Sequence, residues 1–103
     1  MSQEAIKQLE KRLDPQKTSG INGVYQFELT GDDCKQFFVS FIDGKASFGE
    51  GINEDADITL TVSTDNFAQI LEGKLNPNLA FITGKLKIKG DMQLALKLQA
   101  ILG

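Results

Sequence analysis

Residues 84–102 read GKLKIKGDMQLALKLQAIL, and this stretch combines a strand with the helix that follows it. Apolar and charged residues alternate strictly from Lys85 to Lys89, which is typical of a β-strand with one face against a core. Lysine discourages pairing between sheet edges, so the three lysines on the other face predict an edge strand. Asp91 follows a glycine and is the expected N-cap of a helix over residues 92–102.

The predicted last helix is apolar around most of its circumference. Only Gln93, Lys97 and Ala100 form a plausible solvent-facing side. A terminal helix of this kind must be buried on two sides, or it must cover something apolar. Gln99 also falls within the apolar arc. It is either a polar anchor for the head group of a ligand, or a glutamine whose amide bonds to nearby backbone or turns outward.

Between residues 21 and 63 the apolar residues repeat with a period of two, which predicts four strands. Residues 37–42 are apolar on both faces. This pattern indicates either a strand covered on both sides or a ligand against one face. The pair Asp43-Gly44 predicts a tight hairpin turn. Gly49 and Gly51 interrupt the third strand. The linker from Gly49 to Asp57 is short and acidic, so we expect this strand to be reduced.

The N-terminal segment, residues 2–13, predicts an amphipathic helix. Ile6, Leu9 and Leu13 form a narrow apolar stripe, and Asp14-Pro15 ends the helix because the residue before proline is disfavoured in helical conformation. The stripe either touches membranes or docks on the domain's own core.

Two more helices are predicted between the fourth strand and the edge strand. Ser63 or Thr64 caps the first, which stops at Gly73, and Asn76-Pro77 begins a second that ends at Gly84. The predicted order is helix, four strands, two helices, strand, helix. This order indicates an α+β fold with one mostly antiparallel sheet.

The composition excludes several function classes. The chain has 103 residues, which predicts a single domain over 1–103, and its net charge of −3 gives no basis for nucleic-acid binding. It has no histidine, so imidazole-based catalytic triads and imidazole metal sites are excluded. Cys34 is the one cysteine, and without histidine it is better explained as structural than as catalytic. We expect no cofactor and no metal, and binding rather than catalysis.

The two ends of the chain bear on location. The N-terminus is polar and lacks the apolar run of a signal peptide, and no segment approaches the roughly 20 apolar residues that cross a bilayer. The C-terminus differs from a Ser-Lys-Leu-type peroxisomal tripeptide. We therefore expect a cytoplasmic protein. We also expect the chain to be a monomer.

Several short sequence motifs follow one another in a fixed order along the chain. They are Asp65-Asn66-Phe67, Gly73-Lys74-Leu75-Asn76-Pro77, Ala80-Phe81, residues 84–92 and Leu94-Ala95-Leu96-Lys97-Leu98-Gln99. Upstream of them, Gly23-Val24-Tyr25-Gln26-Phe27, an Asp-Gly hairpin and an Ala-Asp-Ile-Thr-Leu strand follow in the same order. In this succession the chain closely resembles the sterol carrier protein type 2 (SCP2) family, over nearly its whole length.

The resemblance implies a five-stranded sheet whose helices cover one face, with an apolar tunnel between the layers. It also implies a carrier that binds fatty acids, fatty acyl-coenzyme A, sterols or phospholipids, transfers them within the cell with transient membrane contact, and has no catalytic residues. Gln99 becomes the expected polar group inside the tunnel. The residues expected to line the tunnel are Phe67, Ile70, Leu71, Phe81, Ile82, Met92, Leu94, Leu98, Gln99, Ile101 and Leu102.

An alternative function stays open at this point. Many members of the resembled family are appended to larger enzymes. The chain could therefore be an accessory module that presents lipids to a lipid-metabolism enzyme, or an interaction domain whose apolar groove takes a partner helix.

Overall fold

The computed structural model of the chain describes residues 2–13, 15–31 and 35–102. The predicted helix stop at Asp14, the Cys34 side chain and the Ile6 side chain lie outside the described parts. In chain order the elements are α1 (Ser2–Arg12), α2 (Pro15–Thr18), β1 (Gly23–Thr30), β2 (Lys35–Ile42), β3 (Lys45–Glu50), β4 (Ile58–Ser63), α3 (Thr64–Leu71), α4 (Pro77–Ile82), β5 (Leu86–Gly90) and α5 (Met92–Leu102).

This order confirms the predicted α+β arrangement and adds α2. A four-residue helix is too short to show a helical period, which is why the sequence pattern missed it. The predicted helix boundaries are confirmed by their caps. Side-chain oxygens of Ser63, Asn76 and Asp91 accept hydrogen bonds from backbone N–H groups in the first turns of α3, α4 and α5. Gly73 and Gly84 follow α3 and α4 with positive φ.

The strands form one sheet in the order β3-β2-β1-β4-β5. Neighbouring strands are antiparallel except for β1 and β4, which run parallel in the middle, so the sheet is mixed. β5 lies at one edge, as its lysines predict, and β3 lies at the other.

β3 is longer than its glycines suggested. It pairs with β2 along all six of its residues, and Gly49 lies directly opposite Phe38. A Cβ atom at position 49 would lie 2.2 Å from the Phe38 ring. The prediction of an interrupted strand was therefore wrong at Gly49, because this glycine makes room for an aromatic ring across the ladder.

The helices cover one face of the sheet. Alternate residues of β1, β2 and β4 on this face are buried, and they form one core with side chains from α1, α3, α4 and α5. On the opposite face of β2, Phe38 and Ser40 are partly exposed and Ile42 is 71% exposed. The two-sided apolarity of β2 therefore does not reflect a second covering layer.

Two residues show how α1 and the uncovered sheet face are used. Leu9 of α1 is fully buried and α1 packs against α3, so the described part of its apolar stripe docks on the core.

Gln26, on the polar side of β1, is buried as well. Its amide nitrogen donates to the carbonyls of Phe37 and Gly51, and its oxygen accepts from the Asn53 backbone at 2.7 Å. Gln26 thereby holds the β3–β4 connection against the uncovered face.

Within the described residues, no helix is both long enough and apolar enough to span a bilayer.

Candidate functional site

An apolar cavity of about 20 Å³ lies between the sheet and helices α3, α4 and α5. Strands contribute inward-facing residues, and helices close the other side. Gln99 is the one polar side chain among the described residues that line it. The lining consists of Phe27, Leu60, Val62, Phe67, Ile70, Pro77, Leu86, Ile88, Ala95, Leu98, Gln99 and Leu102.

The structure brings five of the predicted tunnel residues to this cavity, namely Phe67, Ile70, Leu98, Gln99 and Leu102. Leu98 and Leu102 are one helical turn apart on α5, so they share the face that covers the sheet.

Leu71, Leu94 and Ile101 are buried in the surrounding core without lining the cavity. They remain candidates for a wider binding space.

Phe81, Ile82 and Met92 lie outside the cavity, with substantial exposure to solvent. α4 has only six residues and buries Pro77 and Ala80, so Phe81 and Ile82 turn away from the core. Met92 is the first residue of α5 and lies on its exposed side. A role for these three as lining residues stays a prediction.

The sheet side of the cavity was not predicted from the sequence. Phe27, Leu60, Val62, Leu86 and Ile88 all occupy inward positions of alternating strands. The period-two pattern contains this signal, but the pattern alone does not say which inward residues lie under which helix.

Gln99 is partly buried, and its amide makes no hydrogen bond to the described part of the chain. Every fully buried side-chain N or O atom among the described residues has a hydrogen-bond partner, so the Gln99 amide reaches solvent. Of the interpretations left open by the sequence, a glutamine whose amide turns outward fits these residues and internal backbone bonding does not hold among them, while a role as ligand anchor stays a prediction.

A second and larger space lies between α1 and β3. Two adjoining grooves of about 400 and 360 Å³ share Glu10 and Phe48. Leu13 lines one of the grooves, and it also belongs to a tightly packed group that includes Phe27 and Leu98 from the inner cavity. Packed apolar side chains thus separate the groove from the cavity. The sequence could not show this arrangement, because it depends on where α1 lies over the sheet.

Two hydrogen-bonding residues hold α5 over the cavity. The buried Tyr25 hydroxyl donates to the carbonyl of Leu94 at 2.7 Å, in the first turn of α5. Burial, and secondarily the negative charge of Asp91, raise the pKa of Tyr25 above its ordinary range. At the other end, Arg12 donates to the carbonyls of Leu71 and Leu102, each at 2.6 Å.

A mixed sheet with helices on one face and an apolar cavity between the layers is the architecture that the sequence resemblance implies. The family model described as "SCP-2 sterol transfer family" matches residues 4–103, and the chain belongs to that family. It is accordingly a lipid-binding domain of a family that functions in lipid transfer.

Individual relatives agree with this assignment. The chain is 39% identical over 102 residues to hydroxysteroid dehydrogenase-like protein 2 of Xenopus tropicalis, covering 98% of this chain and 24% of that protein. The chain therefore spans about a quarter of the length of the curated relatives it matches. It is similar to the crystal structure of sterol carrier protein 2 like 2 from Aedes aegypti, with a TM-score of 0.81, 25% identity, and coverage of 96% and 94% of the two chains. A solution structure of the palmitated Aedes aegypti protein matches with a TM-score of 0.78 and 25% identity, over 95% and 90% of the chains.

Proposed function

We propose that residues 1–103 form one carrier domain that binds fatty acids, fatty acyl-coenzyme A, sterols or phospholipids between its sheet and its helices and moves them between membranes. The observation that carries the proposal is the apolar cavity between the sheet and the helices, in which Gln99 is the one polar residue among the described lining residues. Acyl chains match such a lining because their burial contributes roughly 0.8 kcal/mol per methylene, whatever the head group. This also explains loose selectivity. The palmitated state of the Aedes aegypti relative supports an acyl ligand.

The closed cavity is much smaller than the roughly 300 Å³ at which pockets for drug-sized ligands begin. Binding therefore needs the layers to separate. The strands are held to each other by continuous backbone ladders. Helix α5 is held over the sheet by packed side chains and by the hydrogen bonds from Tyr25 and Arg12, without a backbone ladder. We infer that the helices move. Leu71, Leu94 and Ile101, which surround the closed cavity, would then join the lining, and Phe81, Ile82 and Met92 would border its mouth.

The direct test has two parts. Lipids extracted from the purified chain are identified by mass spectrometry, and a fluorescent fatty acid is titrated into the delipidated protein. We expect a co-purifying acyl lipid and saturable binding of about one ligand per chain. A folded protein that carries no lipid and binds none of the fluorescent fatty acid, acyl-coenzyme A or sterol would overturn the proposal.

A second candidate function rests on the length comparison. The chain covers only 24% of its hydroxysteroid dehydrogenase-like relative, so the same domain occurs there within a longer protein. The domain would then present lipids to an enzyme, either in one polypeptide or by docking a partner helix in its apolar groove. A complex between the chain and a lipid-metabolism enzyme that survives gel filtration would favour this function over free diffusion.

The free carrier is expected to act as a monomer in the cytoplasm. Sedimentation velocity tests the oligomeric state, and imaging of the fluorescently labelled protein in cells tests the location.

A further inference from the structure

The exposed apolar side chains of the molecule are concentrated near its C-terminal end. Among the described residues, seven large apolar side chains are strongly exposed, and five of them belong to α4 and α5. We call these five the apolar rim: Leu79, Phe81, Ile82, Met92 and Leu96. Isolated exposed apolar residues need no explanation, but a concentration of this kind marks an interaction surface.

The apolar rim lies on the two helices that supply Pro77 and Gln99 to the inner cavity, and none of its residues lines that cavity. Met92, Leu96 and Gln99 follow a spacing of i, i+4 and i+7, so they share one face of α5. Gln99 lines the cavity together with Pro77, the first residue of α4. The exposed apolar side of α5 is therefore turned towards α4, and α4 in turn packs against α5 and β5.

The charge around the apolar rim is opposite in sign to that of the whole chain. Residues 73–102 contain five lysines and a single acidic residue, Asp91, although the chain carries a net charge of −3. Lys74 pairs with Glu72 at 3.2 Å, and Lys87 and Lys89 lie on the sheet face away from the helices, so Lys85 and Lys97 supply the charge at the rim. Lys85 lies beside the rim, because its backbone N–H donates to the carbonyl of Ala80 in α4. Lys97 is exposed next to Leu96. The acidic remainder of the molecule would turn this basic end towards a negative surface.

From the apolar rim and its lysines we propose that this end of the domain docks on an anionic membrane surface. The apolar side chains enter the boundary between head groups and acyl chains, and the lysines contact anionic head groups. The proposal rests on the proposed carrier function, and it adds the route by which a lipid enters. A lipid would pass from the bilayer to the cavity at Gln99 without crossing water.

The N-terminal helix is the other candidate for membrane contact. Its described apolar side chains, Leu9 and Leu13, are engaged with the core, and none of the residues described between 7 and 13 is a strongly exposed large apolar residue. Among its described side chains, from Lys7 onward, α1 therefore offers charge without exposed apolar surface, whereas α4 and α5 offer both.

The test is flotation of the whole chain with vesicles of phosphatidylcholine, with and without phosphatidylserine. Ile82 and Ile42 are matched sites, 70% and 71% exposed, on α4 and on the uncovered sheet face. We expect Ile82→Glu to lower partitioning into the mixed vesicles about tenfold, because an apolar side chain no longer enters the interface. Ile42→Glu, with the same change of charge, should leave partitioning unchanged. Lys85→Glu should lower it at least about fivefold, and only in the presence of phosphatidylserine.

Equal effects of Ile82→Glu and Ile42→Glu would overturn the proposed surface. A loss of partitioning with Lys7→Glu as large as the loss with Lys85→Glu would also overturn it, and would indicate α1 as the membrane-contacting element. Titration of the same preparations with fluorescent fatty acid keeps the two proposals separate. A chain that binds the fatty acid but floats with neither vesicle would refute membrane docking, indicate a protein partner for the apolar rim, and leave lipid binding intact.

Discussion

The guanidinium of Arg12 donates a hydrogen bond to the carbonyl oxygen of Leu102, 90 residues further along the chain. Its other terminal nitrogen donates to Leu71. Arg12 stands at the end of α1, and these two carbonyls belong to the last residues of α3 and α5. A single cation thus meets the negative ends of two helix dipoles and ties three helices together.

Removing this contact should loosen α5. Arg12→Met keeps much of the apolar stem but leaves both carbonyls without their charged donor, so we expect a loss of about 2 kcal/mol in the free energy of unfolding. Release of a bound fluorescent fatty acid should also become faster, because the helix over the cavity is held less firmly. Urea unfolding and stopped-flow release measure the two effects. Lys11→Met, at an exposed neighbouring position, is the control and should change little. Unaltered release from a destabilised Arg12 variant would separate this contact from ligand exchange.

The Tyr25 hydroxyl predicts a pH dependence at the other end of α5. Its pKa is raised in the folded state, so above about pH 10 the unfolded chain loses the proton first. The contribution of Tyr25 to the free energy of unfolding has its full value below about pH 10. It declines as the pH rises above that, by up to about 1.4 kcal/mol per pH unit. Tyr25→Phe removes the bond to Leu94, which should cost about 1 kcal/mol at neutral pH, and it also removes this decline.

Urea unfolding of both proteins from pH 8 to 11 isolates the contribution of Tyr25, because all other ionisable groups are the same in the two proteins. Parallel curves across that range would contradict the prediction.

Neighbouring leucines of α5 should differ sharply in their effect on ligand binding. Leu98 is 4% exposed and lines the cavity, whereas Leu96 is 64% exposed. Leu98→Glu should abolish fatty-acid binding, because a carboxylate in an apolar site must be desolvated without a partner. Leu96→Glu, with the same change of charge, should bind the free fatty acid as the unmodified chain does. Circular dichroism tests whether both variants are folded. If Leu98→Glu unfolds, Leu98→Ala replaces it: this variant enlarges the cavity without adding charge and should retain binding.

Gln99 should affect ligand choice more than stability. The amide makes no hydrogen bond within the described residues, so Gln99→Leu should leave the free energy of unfolding unchanged or slightly higher. If the amide anchors a polar head group, the variant should bind a fatty acid about fivefold more weakly, the worth of about one hydrogen bond. Binding of the corresponding hydrocarbon should be unaffected. Equal losses for both ligands would show that Gln99 shapes the cavity and does not recognise a head group.

Much of the fold could be predicted because its signals are local. A lysine on every second residue from 85 to 89 predicts an edge strand whatever lies elsewhere, and Asn76-Pro77 predicts a helix start from its own side chain and ring. The α5 part of the cavity lining was predictable for the same reason. Leu98, Gln99 and Leu102 lie on or beside an apolar arc that the helical period defines without reference to other elements.

The sequence by itself determined the number of strands, the capped helix boundaries and the apolar face of α5, all of which follow from spacings within a few residues. It missed α2 and the full length of β3. Only the tertiary structure decided that Gln26 is buried, that Gly49 makes room for Phe38, and that Arg12 reaches α3 and α5. These depend on residues brought together from far apart in the chain. The mixed strand order also decided which inward residues of the sheet lie beneath α5. The physical reason is that the local period of a strand or helix sets the direction of each side chain. The packing of elements that are distant in the chain sets which residues that side chain contacts.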